Sequence, residues 1–293
     1  MNAANDPSFG RREPPARRSP EGWAKLLGFY VVFFGSLALW FFICIQVFYT
    51  TLDETSPKFY GDSSLPQANP GMAIRPMPFF DSTLIKFTMG QRASYQMYID
   101  HLHAFFKFYD FLPENSNCEL EIVSTMAGCN VNITEHLEDL GALKNDFGYR
   151  DGAPVVALKI NKLYDFKPEA FESLDEIQGI LQPDEILDED KLAYGPGRIG
   201  VSCDGQNAVD RQHIRDLKFS PANGLTTNLF PYLNQKGYRS PVILVKFADI
   251  TMRVTIQVVC KLWAWNIDNS DGKKMRASVH FELYVNATNA VNG

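Results

Sequence analysis

The sequence predicts a mainly β extracellular domain with one amphipathic helix, held behind a single N-terminal transmembrane helix. Three observations predict it. A charge-free apolar stretch runs from Leu26 to Val47. Two segments near the C-terminal end alternate apolar and polar residues with a period of two. Outside the apolar stretch, four cysteines and two Asn-x-Thr sequons suit an oxidising compartment.

Residues 1–25 are expected to form a cytoplasmic tail, rich up to residue 22 in Pro, Arg, Ser and Asn and without a pattern that could bury a core. A transmembrane helix follows over 26–48. Between Leu26 and Val47 only Ser36 and Gln46 are clearly polar, and about 22 residues of helix cross a hydrocarbon core of roughly 30 Å. A cleaved signal has a shorter apolar run ending in small residues, whereas this one ends in Gln46-Val47-Phe48-Tyr49. Trp23, Tyr30, Trp40 and Tyr49 include aromatics at both ends suited to the wet interface.

Orientation follows from the flanks. Arg11, Arg12, Arg17, Arg18 and Lys25 precede the span, and Asp53, Glu54, Lys58 and Asp62 follow it. The basic side stays in the cytoplasm, so the C-terminal bulk is placed outside, as in a single-pass type II protein of the plasma membrane. Of 28 Lys and Arg and 34 Asp and Glu, five basic and three acidic residues precede Leu26. The remaining 23 and 31 leave the rest of the chain at -8. That surface is no footprint for nucleic acid.

Residues 49–78 are expected to be an extracellular stalk, since Asp53 to Pro78 is rich in Pro, Gly and Ser without a sustained period. The β domain is expected over 79–293. Tyr98, Leu102, Phe105, Tyr109 and Leu112 fall at helical spacing and predict one amphipathic helix. Met252, Val254, Ile256, Val258, Cys260 and Leu262 alternate with polar residues, with Val259 breaking the polar face, and Val279, Phe281, Leu283 and Val285 alternate in the same way. Val155 to Leu163, Arg198 to Cys203 and Val242 to Phe247 are further strand candidates, and Asn269-Ser270-Asp271-Gly272 is a turn. Several half-buried strands predict two antiparallel sheets around a core.

Cys118, Cys129, Cys203 and Cys260 allow three pairings, which the spacing leaves open. Cys260 lies on the apolar face of its strand, so a bridge from it is expected to cross the core. No Cys-x-x-Cys pair exists and the histidines are scattered, so no metal site is expected. Asn132-Ile133-Thr134 and Asn286-Ala287-Thr288 are candidate glycosylation sites, and Asn286 has outward strand parity. No nucleophile elbow, His-Glu-x-x-His helix or phosphate-binding glycine loop is present, so neither catalysis nor a cofactor is expected.

From Trp23 onward the chain resembles the beta subunit family of the sodium/potassium-transporting ATPase, which also includes the beta subunit of the gastric proton/potassium pump. Phe29-Tyr30-Val31-Val32-Phe33-Phe34-Gly35 resembles the family's Phe-Tyr-x-x-Phe-Tyr-Gly, and Ile45-Gln46-Val47 matches the outer end of its span. Phe147-Gly148-Tyr149-Arg150-Asp151-Gly152-Ala153-Pro154 resembles its Tyr-Gly-Tyr-x-x-Gly-x-Pro. Phe230-Pro231-Tyr232 and Pro241 to Phe247 resemble its Tyr-Tyr-Pro-Tyr-Tyr segment and the strand after it.

The resemblance implies an immunoglobulin-like β-sandwich and obligate assembly with the catalytic alpha subunit of a P-type cation ATPase. The beta subunit would support that partner's folding, membrane delivery and potassium affinity. Phe29, Tyr30, Phe33, Phe34, Gln46, Phe230, Pro231 and Tyr232 would be contact residues for it. Cys203 and Cys260 sit at the family's last disulfide, whose closure is worth about 4 kcal/mol on a chain-entropy estimate.

Three departures stand out. Phe34 replaces a tyrosine. Two of the family's cysteines are missing, one of them at Val155, so Cys118 and Cys129 are expected to bridge each other for about 3 kcal/mol. The tail before Trp23 matches poorly. The competing function is a membrane-anchored Golgi glycosyltransferase, on the strength of Asp188-Glu189-Asp190 as a metal-binding Asp-x-Asp; a role in cell adhesion is compatible with the first reading.

Overall fold

The computed structural model of the chain describes residues 19–64, 69–110, 132–181, 187–235, 237–267 and 277–287. Cys118, Cys129, Leu112, Thr288, the turn at Asn269 to Gly272 and all but the last residues of the tail lie outside these. The chain divides into two compact units, Met1–Glu54 and Thr55–Gly293.

The first unit carries helix α1, Pro20–Tyr49. It begins before the apolar stretch because capping chemistry sets its start. The Ser19 hydroxyl accepts from the Gly22 amide at 3.3 Å, and Pro20 occupies the first helical position, where its missing N–H costs nothing. At 1.5 Å per residue the helix extends about 45 Å, more than a hydrocarbon core requires. It buries none of its residues within the chain and is the one helix among the described residues long and apolar enough to span a membrane.

The second unit contains β1 (Met72–Arg75), β2 (Leu84–Thr88), α2 (Arg92–Asp110), α3 (Ile133–Asp139), β3 (Val155–Ile160), α4 (Leu174–Gly179), β4 (Leu192–Ala193), β5 (Arg198–Gly205), α5 (Ala208–Gln212), β6 (Ile214–Ser220), β7 (Leu225–Thr226), β8 (Val242–Ile250), β9 (Thr255–Trp263) and β10 (Ser278–Asn286). One sheet runs β1-β3-β8-β6. The other runs β2-β10-β9-β5-β4, with β7 also paired to β5. Ile256, Val258, Cys260 and Leu262 of β9 and Phe281, Leu283 and Val285 of β10 point inward, as their period requires. They share one core with Val155 to Leu158 of β3 and Val242 to Val245 of β8. The Phe247 ring from the first sheet meets Phe281 from the second edge-on at 5.9 Å.

Three expectations need correction. The segment 49–78 holds more than a stalk, since Met72 and Ile74 are buried and β1 pairs antiparallel with β3. The sheets are not wholly antiparallel, because β2 runs parallel to β10, with Ile85 opposite Leu283. The disulfide from Cys260 does not cross between sheets. Cys203 lies directly opposite it on the neighbouring strand, so the bridge stays within one sheet while both sulfurs face the core. Parity predicts the face a cysteine occupies but not which strand is its neighbour.

Helix α2 protects the edge of the second sheet. The Tyr98 hydroxyl accepts from the Lys86 amide at 3.0 Å, and the Ser94 hydroxyl accepts from the Thr88 amide at 2.9 Å. These satisfy β2 donors that an edge strand would otherwise present to another chain. Tyr98, Leu102 and Tyr109 are buried as the helical stripe predicts, and Phe105 packs partly against the core.

Candidate functional site: an aromatic membrane helix and an aromatic outer surface

The i, i+4 geometry of α1 converts the motif from Phe29 to Phe34 into two ring ladders. Tyr30 stacks on Phe34 at 5.8 Å and Phe29 on Phe33 at 6.1 Å. Neighbouring rings across the ladders meet edge-on at 5.5 Å for Phe29 and Tyr30 and 5.3 Å for Phe33 and Phe34. The four rings form one continuous apolar face, all exposed within this chain. Gln46 does not join it. At about 100° per residue it lies about 120° around the helix from Phe34, on another face.

In the second unit Phe230, Pro231 and Tyr232 separate. The Phe230 ring packs against the core and meets Phe166 at 6.0 Å. Tyr232 is half-buried and belongs to an aromatic array that runs from the exposed Tyr60 to the buried Tyr238. It bridges Tyr164 in parallel, its ring lies 5.0 Å from Tyr238, and Tyr60 meets Tyr164 at 5.4 Å. The Lys162 ammonium stands 4.9 Å from the Tyr232 ring centroid and 5.5 Å from that of Tyr238. Burial pushes the Tyr238 phenol well above its ordinary range, and the neighbouring Tyr232 adds to this. Its hydroxyl donates to the Leu229 carbonyl at 3.0 Å. Tyr60, Lys162, Tyr164 and Tyr238 have no signature in the sequence because they sit in irregular segments with no period. Clustering of tyrosines around Pro231 is the available signal.

Within the second unit, the Phe147-Gly148-Tyr149 motif is a tight turn that carries an aromatic ring into the core. Asp146, Phe147 and Gly148 all take positive φ, at 49°, 53° and 81°. A Cβ at residue 148 would overlap the Ala153 carbonyl oxygen, so this turn requires glycine. The turn buries Tyr149 completely among Phe87, Tyr95 and Tyr98.

The remaining sequence candidates have structural surroundings. Asn132 caps α3: its side-chain carbonyl accepts from the Glu135 amide at 3.3 Å, and its exposed Nδ2 donates to Glu135 Oε2 at 3.2 Å. Asn286 ends β10 opposite Thr88. The acidic triplet closes a short turn. Asp188 accepts from the Asp190 amide at 3.1 Å, and the buried Lys191 ammonium binds Asp204 at 2.9 Å and Asp188 at 3.6 Å. Among the described residues, no group of three or more His, Cys, Asp or Glu side chains is arranged to hold a metal ion. Asp188 is thus occupied as a cap and an ion-pair partner, which removes the feature that favoured a glycosyltransferase.

The family model described as "Sodium / potassium ATPase beta chain" matches residues 13–281, from the tail through to Phe281 of β10. The chain belongs to this family. It is 31% identical to "Sodium/potassium-transporting ATPase subunit beta-2" of Drosophila melanogaster, over 92% of this chain and 87% of that one. It is 29% identical to the beta-1 subunit of the same organism, over 91% and 87%. Against the human beta-2 subunit the identity is 25%, over 92% and 89%. As a sodium/potassium ATPase beta chain, the protein is an accessory subunit of the pump. Its membrane motif and its turn at Gly148 fall within the matched region.

Proposed function

We propose that this beta chain is non-catalytic and acts by assembling with the pump's catalytic alpha subunit, which it helps to fold, deliver to the plasma membrane and tune for potassium. The single observation that carries the reading is a family match continuous from the membrane helix to β10. The four-ring face of α1 supports a packing role in the bilayer. Helices there gain nothing from the hydrophobic effect and associate through close van der Waals contact. Tyr30 and Phe34 are the proposed centre of that contact, with Phe29 and Phe33 beside them. Tyr232 and its neighbours are the proposed contact outside the membrane. The topology is type II, with the basic tail in the cytoplasm, the sheet domain outside, and Asn132 and Asn286 open to glycosylation.

The test is extraction of the tagged chain in mild detergent and identification of what co-purifies. A P-type ATPase catalytic chain at equal stoichiometry is expected. Recovery of the beta chain without it, from membranes that contain the pump, contradicts the proposal.

A further inference from the structure

Cations crowd one part of the outer face of the first sheet. Lys159 of β3 pairs with Ala73 of β1, and Arg75 pairs with Ala157, so the two long side chains stand diagonally over a floor of alanines. Lys162 follows at the end of β3. None of the three lies within 4.0 Å of a carboxylate among the described residues.

Two of these cations have other uses. Arg75 donates to the Ile74 carbonyl at 2.6 Å and faces the Phe105 ring, while Lys162 donates to the Tyr238 carbonyl at 3.4 Å and faces two tyrosines. Lys159 has neither among the described contacts. Its half-buried ammonium is held between like charges, and its pKa is lowered first by burial, then by Arg75 and Lys162. A partly desolvated ammonium flanked by two cations destabilises the free chain. Among the described residues no carboxylate compensates it, and an arriving anion would stabilise it.

The position selects the anion's source. Lys162 covers Tyr232, so the cationic surface is continuous with the aromatic array proposed to meet the catalytic subunit. We infer that Arg75, Lys159 and Lys162 receive a carboxylate carried on an exoplasmic loop of that subunit. The inference rests on the assembly proposed above and adds the chemistry of the partner segment: an acidic residue beside side chains that pack on tyrosine rings. Such a pair would contribute orientation and partner selection as well as affinity.

The experiment co-expresses the tagged full-length chain with the catalytic subunit and measures capture in detergent. Lys159→Glu is expected to lower capture about tenfold, Lys159→Arg to retain it, and Lys162→Glu, at an exposed position, to lower it similarly. A Lys placed at the matching acidic position of the catalytic subunit should restore capture by Lys159→Glu. Capture by wild type alone should also fall as salt rises. Undiminished capture by both Glu variants overturns this inference alone. It does so even if sulfate raises the melting temperature of wild type and not of Lys159→Met, because the surface then serves a free anion. Failure of wild type itself to capture a catalytic subunit overturns the assembly reading and this inference with it.

Discussion

Cys203 and Cys260 face each other across β5 and β9 with Cα atoms 4.0 Å apart, both fully buried. The bridge joins two strands already paired by backbone hydrogen bonds. Its effect is therefore on the unfolded chain, whose freedom it restricts over a separation of 57 residues. Replacing both cysteines by alanine should destabilise the sheet domain by about 4 kcal/mol, seen as a lower denaturation midpoint of the full chain in detergent. An unchanged midpoint would show that the pairing of β5 with β9 survives without it.

The turn at Phe147 and Gly148 offers a contrast between adjacent residues. Gly148→Ala combines a left-handed backbone with a steric overlap and should cost more than about 2 kcal/mol. Tyr149→Phe should be neutral or stabilising by up to about 1 kcal/mol. The Tyr149 hydroxyl is buried without a hydrogen-bond partner among the described residues, and burial holds its pKa well above the ordinary value. Denaturation midpoints of the two variants check this; a large loss for Tyr149→Phe would reveal a bound water at the hydroxyl.

Ser220 clamps α3 to the first sheet. Its buried hydroxyl donates to Asp139 Oδ2 at 3.0 Å and contacts His136 Nδ1 at 2.8 Å, which requires that nitrogen to carry a proton. This is no catalytic triad, because the serine and not the histidine sits in the middle. Ser220→Ala should destabilise by about 1–3 kcal/mol, since both partners lose a hydrogen bond. Hydrogen exchange should show faster opening of Ile133–Asp139; unchanged protection would mean that Ile133, Leu137 and the Lys246 bond to the Leu140 carbonyl suffice.

Two histidines predict the acid response. The His101 pKa is lowered from 6.5 by burial and then by Arg75. That of His280 is lowered by burial and then by Lys261, with Glu282 opposing. The unfolded histidines take up protons near 6.5, while the folded ones do so only at lower pH. Between these values the unfolded state binds more protons, so stability falls as pH drops below 6.5. Chemical denaturation at about pH 7.5 and about pH 5.5 should show that loss, and His101→Gln with His280→Gln should flatten it. An identical slope in the double variant would assign the response to carboxylates.

On α1, Tyr30→Ala and Phe34→Ala should each reduce recovery of the catalytic subunit, while Gln46→Leu, on another face, should change it less. Equal effects at all three positions would argue against a single packing face.

What was legible in the sequence depended on period. β9 and β10 announced themselves because Ile256 to Leu262, with Val259 as the one exception, and Phe281 to Val285 alternate, and the Tyr30 and Phe34 pair because i, i+4 is a helical contact. β6 did not, because a register shift at Asp216 leaves Arg215 and Asp216 exposed in succession and breaks the alternation. The parallel pairing of β2 with β10 joins residues about 200 apart, and no local pattern encodes a partner at that distance. The array of Tyr60, Tyr164, Tyr232 and Tyr238 was hidden for the same reason: tertiary structure alone assembles it.

Every role proposed for this chain depends on α1 spanning the bilayer once, with the sheet domain on the exoplasmic side. Labelling intact cells with a membrane-impermeant amine reagent, followed by peptide mapping, reads that arrangement directly. Exposed lysines of the sheet domain, such as Lys167 and Lys218, should be modified, and Lys25 should not. Labelling of those lysines only after permeabilisation would contradict it.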